Sequence, residues 1–220
     1  MVLWLWKAGQ AIAQVTPPPV PANACQVIMT NGGFESPNLT IATPAPYQTF
    51  QANIKAYNES DVPGWLSSAD NFIELWRTGN SFGVSAYEGQ QFVELNAYTN
   101  SSLYQDVATT PGSVITWQFA HRGRAGVDTM NLKIGPPGAT IAQINPTATT
   151  APLTSFKTDK TAWKLYQGTY TVPAGQTITR FEYAAIATSG GNVSAGNFID
   201  AVRFGPLCDY GDAKSNYPVL

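Results

Sequence analysis

Along Val114–Arg124 apolar and polar residues alternate. Ile115, Trp117, Phe119 and His121 fall on one side; Thr116, Gln118, Ala120, Arg122 and Arg124 fall on the other. In the following stretch Met130, Leu132 and Ile134 alternate with Thr129, Asn131 and Lys133. A period of two with one apolar side predicts half-buried antiparallel strands. Gly123, Gly126 and Asp128 lie between the two stretches and predict a turn that joins them.

The same alternation recurs along the chain. Asn71–Trp76 (NFIELW) and Gln91–Asn96 (QFVELN) read as near-copies. In each, the aliphatics Ile73 and Leu75, or Val93 and Leu95, are expected to face a core. That turns Phe72, Glu74 and Trp76, and Phe92, Glu94 and Asn96, the other way. A first strand followed by Asn31-Gly32-Gly33 is expected within Gln26–Glu35, and further strands at Leu103–Val107, Trp163–Val172, Thr177–Ala187 and Asn197–Phe204, with a weak signal at Tyr47–Phe50. Pro136 to about Thr154 is Thr-, Ala- and Pro-rich and reads as a loop with at most one irregular strand. No segment sustains a helical period. Many short strands with Gly/Pro punctuation predict a sandwich or barrel.

At 220 residues, one such domain with tails accounts for the chain. Residues 25–208 read as the sandwich, 1–24 as a leader and 209–220 as a tail. Charged residues make up only 12% and the net charge is -2. That balance argues against nucleic acid, which calls for a basic face. No stretch approaches the roughly 18 apolar residues of a membrane span.

The leader resembles the end of a secretory signal, with Ala11-Ile12-Ala13 as a small-residue cleavage site, although Lys7 interrupts its apolar run. A stiff VTPPPVP spacer follows. Cys25 and Cys208 flank the β-rich region. In a closed sandwich the first and last strands are often neighbours, so a disulfide between them fits an oxidising compartment; two unrelated free thiols are the alternative. Asn38, Asn58, Asn100 and Asn192 each begin an N-x-Ser/Thr sequon.

The order NGGFESP, VPGW, YEGQQFVELN, LYQDV–PG–ITWQFAHRGR, TAWKLYQGTYTVPAGQ and GNFIDAVRF carries a family likeness. It resembles the jelly-roll, galactose-binding-like carbohydrate-binding modules, especially the family 4/9 type, over about Cys25 to Phe204. The resemblance implies an all-β antiparallel jelly-roll β-sandwich. It also implies a structural Ca²⁺ tying the first strand to the last, held by Glu35, the carbonyl near Gly33 and Asp200. Ca²⁺ takes hard oxygen ligands, which agrees in kind. Many such modules carry two consecutive aspartates where this chain has Asp200-Ala201, which is one carboxylate fewer.

Glu74, Trp76, Glu94, Asn96, Gln118, Arg122 and Arg124 fall on non-core faces. If their strands share one sheet, these residues converge on it. A ring to stack on and planar polar groups that grip hydroxyls suit a sugar. Trp76 is the expected exposed stacking platform and Arg122 the principal donor. A salt-bridged polar face, with the glutamates neutralising the arginines, is the equal alternative. Two carboxylates also raise glycoside hydrolysis, but neither lies in a matching signature. The single histidine, His121, shares parity with the core residues Trp117 and Phe119. The chain therefore reads as non-catalytic: a secreted module that binds a glycan or cell-surface polysaccharide. The rival is a structural or adhesive subunit of an extracellular assembly, self-associating through its leader.

Overall fold

A computed structural model of the chain describes residues 29–138, 142–143 and 155–206. The strands are β1 (Gln48–Gln51), β2 (Ile54–Asn58), β3 (Leu66–Ser67), β4 (Phe72–Arg77), β5 (Gln91–Glu94), β6 (Ser102–Ala108) and β7 (Val114–Arg122). They continue with β8 (Asp128–Gly135), β9 (Ala142–Gln143), β10 (Phe156–Thr158), β11 (Lys164–Thr171), β12 (Ile178–Ala187) and β13 (Phe198–Pro206). Among the described residues the one helical element is a 3-10 turn, Glu59–Asp61.

Two antiparallel sheets form. One has seven strands in the order β1-β2-β4-β5-β13-β7-β11. The other has the order β10-β8-β12-β6-β3, with β9 on β8. From β5 to β8, and again from β10 to β13, successive strands alternate between the sheets, which is the jelly-roll winding. The strands β7 and β8 illustrate it. The turn between them joins strands of opposite sheets: β7 pairs with β11 and β13, β8 with β10 and β12. The turn at Gly123–Gly126 is thus an arch over the edge of the sandwich, not a hairpin within one sheet.

The core lies between the sheets and follows the alternation. Ile73, Leu75, Val93, Ile115, Trp117, Phe119 and Ile199 come from the seven-stranded sheet; Leu103, Met130, Leu132, Ile134, Phe181 and Tyr183 come from the other. Trp117 sets a requirement on its neighbour. A Cβ on Gly168 of β11 would stand 2.4 Å from the indole Cζ2, so only glycine fits beneath the ring. His121 is fully buried on this inner side, with Nδ1 2.9 Å from Thr158 Oγ1 and Nε2 3.1 Å from Asn197 Oδ1. Burial lowers its pKa to about 4, so it is a neutral core histidine, as its parity predicts.

The weak signal at Tyr47–Phe50 corresponds to the edge strand β1, and β2 pairs with it although the alternation there is faint. In β13 the register shifts between Asp200 and Arg203, with Ala201 at φ 51°. This bulge lets Asp200 and Arg203 both leave the core side while Val202 and Phe204 stay in it. Cys25, Cys208, the leader and the tail lie outside the described residues, and so does the expected disulfide.

Candidate functional site

Parity places the expected residues on one surface. Across the outer face of the seven-stranded sheet, Ala56, Glu74, Glu94, Phe198 and Arg122 form one cross-strand row. Trp76 and Phe92 are paired in the next row. The strands of Glu74, Trp76, Glu94, Gln118 and Arg122 therefore do share one sheet.

Exposure departs from the expectation. The segment 78–90 lies over this face and closes a second apolar cluster, Ile54, Trp76, Val84, Phe92 and Phe198, with Ala86 and Trp163 packed against it. Trp76 is 0% exposed. Its ring lies 4.8 Å from Phe198 and 5.2 Å from Phe82, and its Nε1 donates to Glu74 Oε1 at 2.8 Å. The exposed platform expected at Trp76 is corrected on this point. An outward parity guarantees only that a residue leaves the main core, and here a loop supplies a second one.

Beside that cluster sit three charged groups. Glu74 and Glu94 face each other across β4 and β5. Arg124 donates from Nη1 to both Glu94 oxygens at 3.1 Å, and its guanidinium lies 4.9 Å from the ring centres of Trp76 and Phe82. Glu94 Oε1 also accepts from the Gly196 backbone N–H. Both carboxyls are buried, and burial is the chief reason their pKa values rise, that of Glu74 to about 7. The Glu74 charge pushes Glu94 up further, while Arg124 pulls both down. The ion-paired reading of this face is met for Glu94 and Arg124. Two carboxyls against one guanidinium leave one negative charge or one proton over.

The remaining expected residues divide. Asn96 is buried and structural: its Nδ2 donates to Asn100 Oδ1 and Val193 O, and its Oδ1 accepts from Asn197 Nδ2. Its position as a sugar-gripping group on an open face is therefore corrected. Arg122 is half-buried, donates from Nη2 to Lys160 O at 2.5 Å and leaves its buried Nε without a partner. Gln118 is half-exposed, opposite Arg203 on β13 and Gln167 on β11.

The exposed rings on this side of the molecule stand elsewhere. Tyr47 packs on Phe72 at 4.2 Å, Phe72 meets the edge of Tyr98 at 5.3 Å, and Phe50 lies 6.1 Å from Tyr98. Tyr47 is 59% exposed and Phe50 41%. Phe72 is the outward residue before Glu74, so this four-ring shelf adjoins the carboxyl pair. Burial raises the Tyr98 phenol, and the nearby Tyr47, Glu74 and Asp70 raise it further. Tyr98 Oη donates to Gln48 Oε1 at 2.6 Å. Tyr98 lies in an irregular segment, where alternation is silent, and Tyr47 just precedes β1, where the strand signal is weak.

Glu35 and Asp200 meet at the end of the covering segment. Glu35 Oε1 accepts from the N–H groups of Gln90 and Gln91 at 2.6 and 2.8 Å. Asp200 Oδ2 accepts from those of Tyr87 and Glu88 at 2.8 and 3.0 Å, and Oδ1 from Ala201 N–H at 2.7 Å. Asp200 is fully buried, and burial raises its pKa to about 7. A Cβ on Gly33 would stand 3.2 Å from Glu88 Oε1, so the three expected elements do gather at one turn. The donor chemistry suits a hard cation. Among the described residues no set of three acidic, histidine or cysteine side chains is disposed to hold a metal ion.

No family model matches the chain. Over 66 residues, 29% of the chain, it is 41% identical to a multifunctional-autoprocessing repeats-in-toxin protein of Vibrio vulnificus, and it spans 1% of that protein's length. Among solved structures it is similar to a family 61 carbohydrate-binding module in complex with β-1,4-galactotriose, at 16% identity and TM-score 0.47, covering 83% of this chain and 99% of that one. A family 4 module matches at 14% identity and TM-score 0.41, covering 81% and 99%. A family 22 xylan-binding domain from Paenibacillus barcinonensis matches at 14% identity and TM-score 0.46, covering 70% and 98%. These three solved structures are carbohydrate-binding modules of three families.

Proposed function

We propose that this chain is a secreted, non-catalytic module that binds a glycan on the outer face of its seven-stranded sheet. One observation carries the reading: the Tyr47, Phe50, Phe72 and Tyr98 rings lie in and beside solvent next to the Glu74–Glu94–Arg124 group. Exposed rings give a sugar's C–H face an apolar bed, and the half-exposed Arg124 can donate to its hydroxyls. The absence of catalysis is supported by how Glu94 is spent, with its oxygens on Arg124 and Gly196, and by the burial of His121. Structural Ca²⁺ at Glu35, Gly33 and Asp200 belongs to the same reading. It is supported by the gathering of Glu35, Gly33 and Asp200 around the turn that ends the covering segment. A glycan array with the parent chain and Tyr98→Ala tests the binding face: signals lost in the variant support it, and an unchanged array moves the site elsewhere.

A second reading, a subunit of an extracellular assembly, has one observation in its favour. β1 is an edge strand with all four residues exposed, and an open edge can accept a further strand. Sedimentation across a concentration series tests it; a monomer throughout removes it.

A further inference from the structure

Asp128 opens β8 and is fully buried. Its Oδ2 accepts from the Arg124 N–H at 2.8 Å and from the Asn197 N–H at 3.0 Å. Its Oδ1 accepts from the Ser189 N–H at 2.8 Å. One carboxylate thus joins the arch after β7, the turn after β12 and the segment before β13.

Two of these three segments also meet Glu94. Arg124 gives its backbone N–H to Asp128 and its guanidinium to both Glu94 oxygens. Residues 196 and 197 divide in the same way: the Gly196 N–H goes to Glu94 and the next N–H, of Asn197, to Asp128. Glu94 belongs to the seven-stranded sheet and Asp128 to the other. The two carboxylates therefore clamp the same pair of segments across the rim of the sandwich.

The clamp leaves little room for drift. A Cβ on Gly196 would stand 2.8 Å from Asp128 Oδ2 and 2.6 Å from Thr188 Cγ2. A Cβ on Gly123 would stand 2.0 Å from the Gly126 carbonyl, and the Gly123 N–H is itself held by the Asp159 carbonyl at 3.0 Å. The main chain of Arg124 is thus fixed at its own amide and at the residue before it. From that anchor the guanidinium reaches Glu94 and rests 4.9 Å from the ring centres of Trp76 and Phe82. A long side chain keeps one geometry against its competing rotamers only when its base is held as well as its tip.

We infer that Asp128 is a positioning residue of the outer face: by holding the Arg124 and Asn197 amides it sets the Arg124 guanidinium where a glycan meets it. The inference rests on the glycan-binding reading, in which Arg124 donates to sugar hydroxyls. Asp128 acts only through Arg124, since it is buried behind the arch.

The test uses Asp128→Asn in the full chain, which keeps the shape of the side chain and one acceptor oxygen. Removing a negative charge lowers the pKa of a neighbouring carboxyl, whereas taking Arg124 from its place raises that of Glu74. The two effects have opposite signs. NMR titration at the Glu74 carboxyl carbon is expected to show the midpoint moving upward in Asp128→Asn, by at least half the shift that Arg124→Gln produces. A lower Tm with a midpoint unmoved or lowered makes Asp128 purely structural and overturns the inference. Retardation in gels containing xylan, galactan or mixed-linkage β-glucan gives the second readout. Asp128→Asn is expected to weaken binding about three-fold or more in the parent chain and no further in an Arg124→Gln background. Equal losses in both backgrounds overturn the inference. If none of the gels retards the parent chain, the glycan array decides the broader reading and the Glu74 midpoint alone decides Asp128. If Asp128→Asn does not fold, Asp128→Glu replaces it, with the same outcomes for and against.

Discussion

Glu74 and Glu94 stand directly opposite each other across β4 and β5, and a single guanidinium, that of Arg124, answers both. This makes stability depend on pH in a definite sense. Glu74 holds its proton to about pH 7 in the fold, above its ordinary 4.5. Its stabilising contribution is fully present below 4.5 and is lost as the pH rises through 7. Asp200 acts in the same sense. His121, lowered to about 4, acts oppositely: its contribution is present above about 6.5 and is lost as pH falls through 4. Comparing Glu74→Gln with the parent isolates the first effect. The two Tm values should coincide near pH 4.5, and the variant should melt higher at about pH 8. A gap that is constant with pH would contradict this.

Trp76 is a core residue of the second apolar cluster, so its removal should act on stability. Trp76→Ala is expected to cost about 3–5 kcal/mol and to free the Glu74 carboxyl from its indole partner. Denaturant unfolding measures the loss. A stable Trp76→Ala with unchanged midpoint would mean that the 78–90 segment does not cover the ring.

That reversal shows where alternation informs and where it stops. Period-two patterning identifies Ile73, Leu75, Val93, Trp117 and Phe119 as core and brings Glu74, Glu94, Gln118 and Arg122 to one face, because a strand leaves a side chain no third direction. It cannot report what covers that face. The covering segment 78–90 has no period, and its Val84 and Phe82 reach Trp76 through tertiary packing alone. Tyr47 and Tyr98 escaped for the same reason. The partner of Glu94 is also non-local: Arg124 belongs to the arch beyond β7, not to the strand whose parity it seemed to share.

Tyr98→Ala should weaken glycan binding without unfolding the domain, since the ring is half-exposed and edge-packed on Phe72. A stacking ring is worth about 0.5–1.5 kcal/mol beyond its area, so a loss of roughly three-fold to ten-fold is expected. Affinity electrophoresis in polysaccharide gels reads it, with Tyr87→Ala, in the covering segment beside Trp163, as the comparison.

If Ca²⁺ is held by Glu35, Gly33 and Asp200, chelator should lower the Tm of the parent chain. Asp200→Ala should lower it too and abolish the response to chelator. Identical melting curves for the parent chain with calcium and with excess chelator would exclude the ion.

β13 is the last described strand, yet it lies in the middle of the seven-stranded sheet, between β5 and β7. It also brings Asp200 to the covering segment and follows the Gly196 amide that holds Glu94. During vectorial synthesis the ribosome releases this piece after every other strand of the sheet. Until then the sheet is two unjoined halves, with Val93 and Glu94 lacking the strand that pairs beside them. The nascent domain therefore cannot close early, and its ligand face should appear in one late step. A chain arrested before residue 197 should stay protease-sensitive throughout the seven-stranded sheet, a polarity of assembly that a sheet with its last strand at the rim would not have.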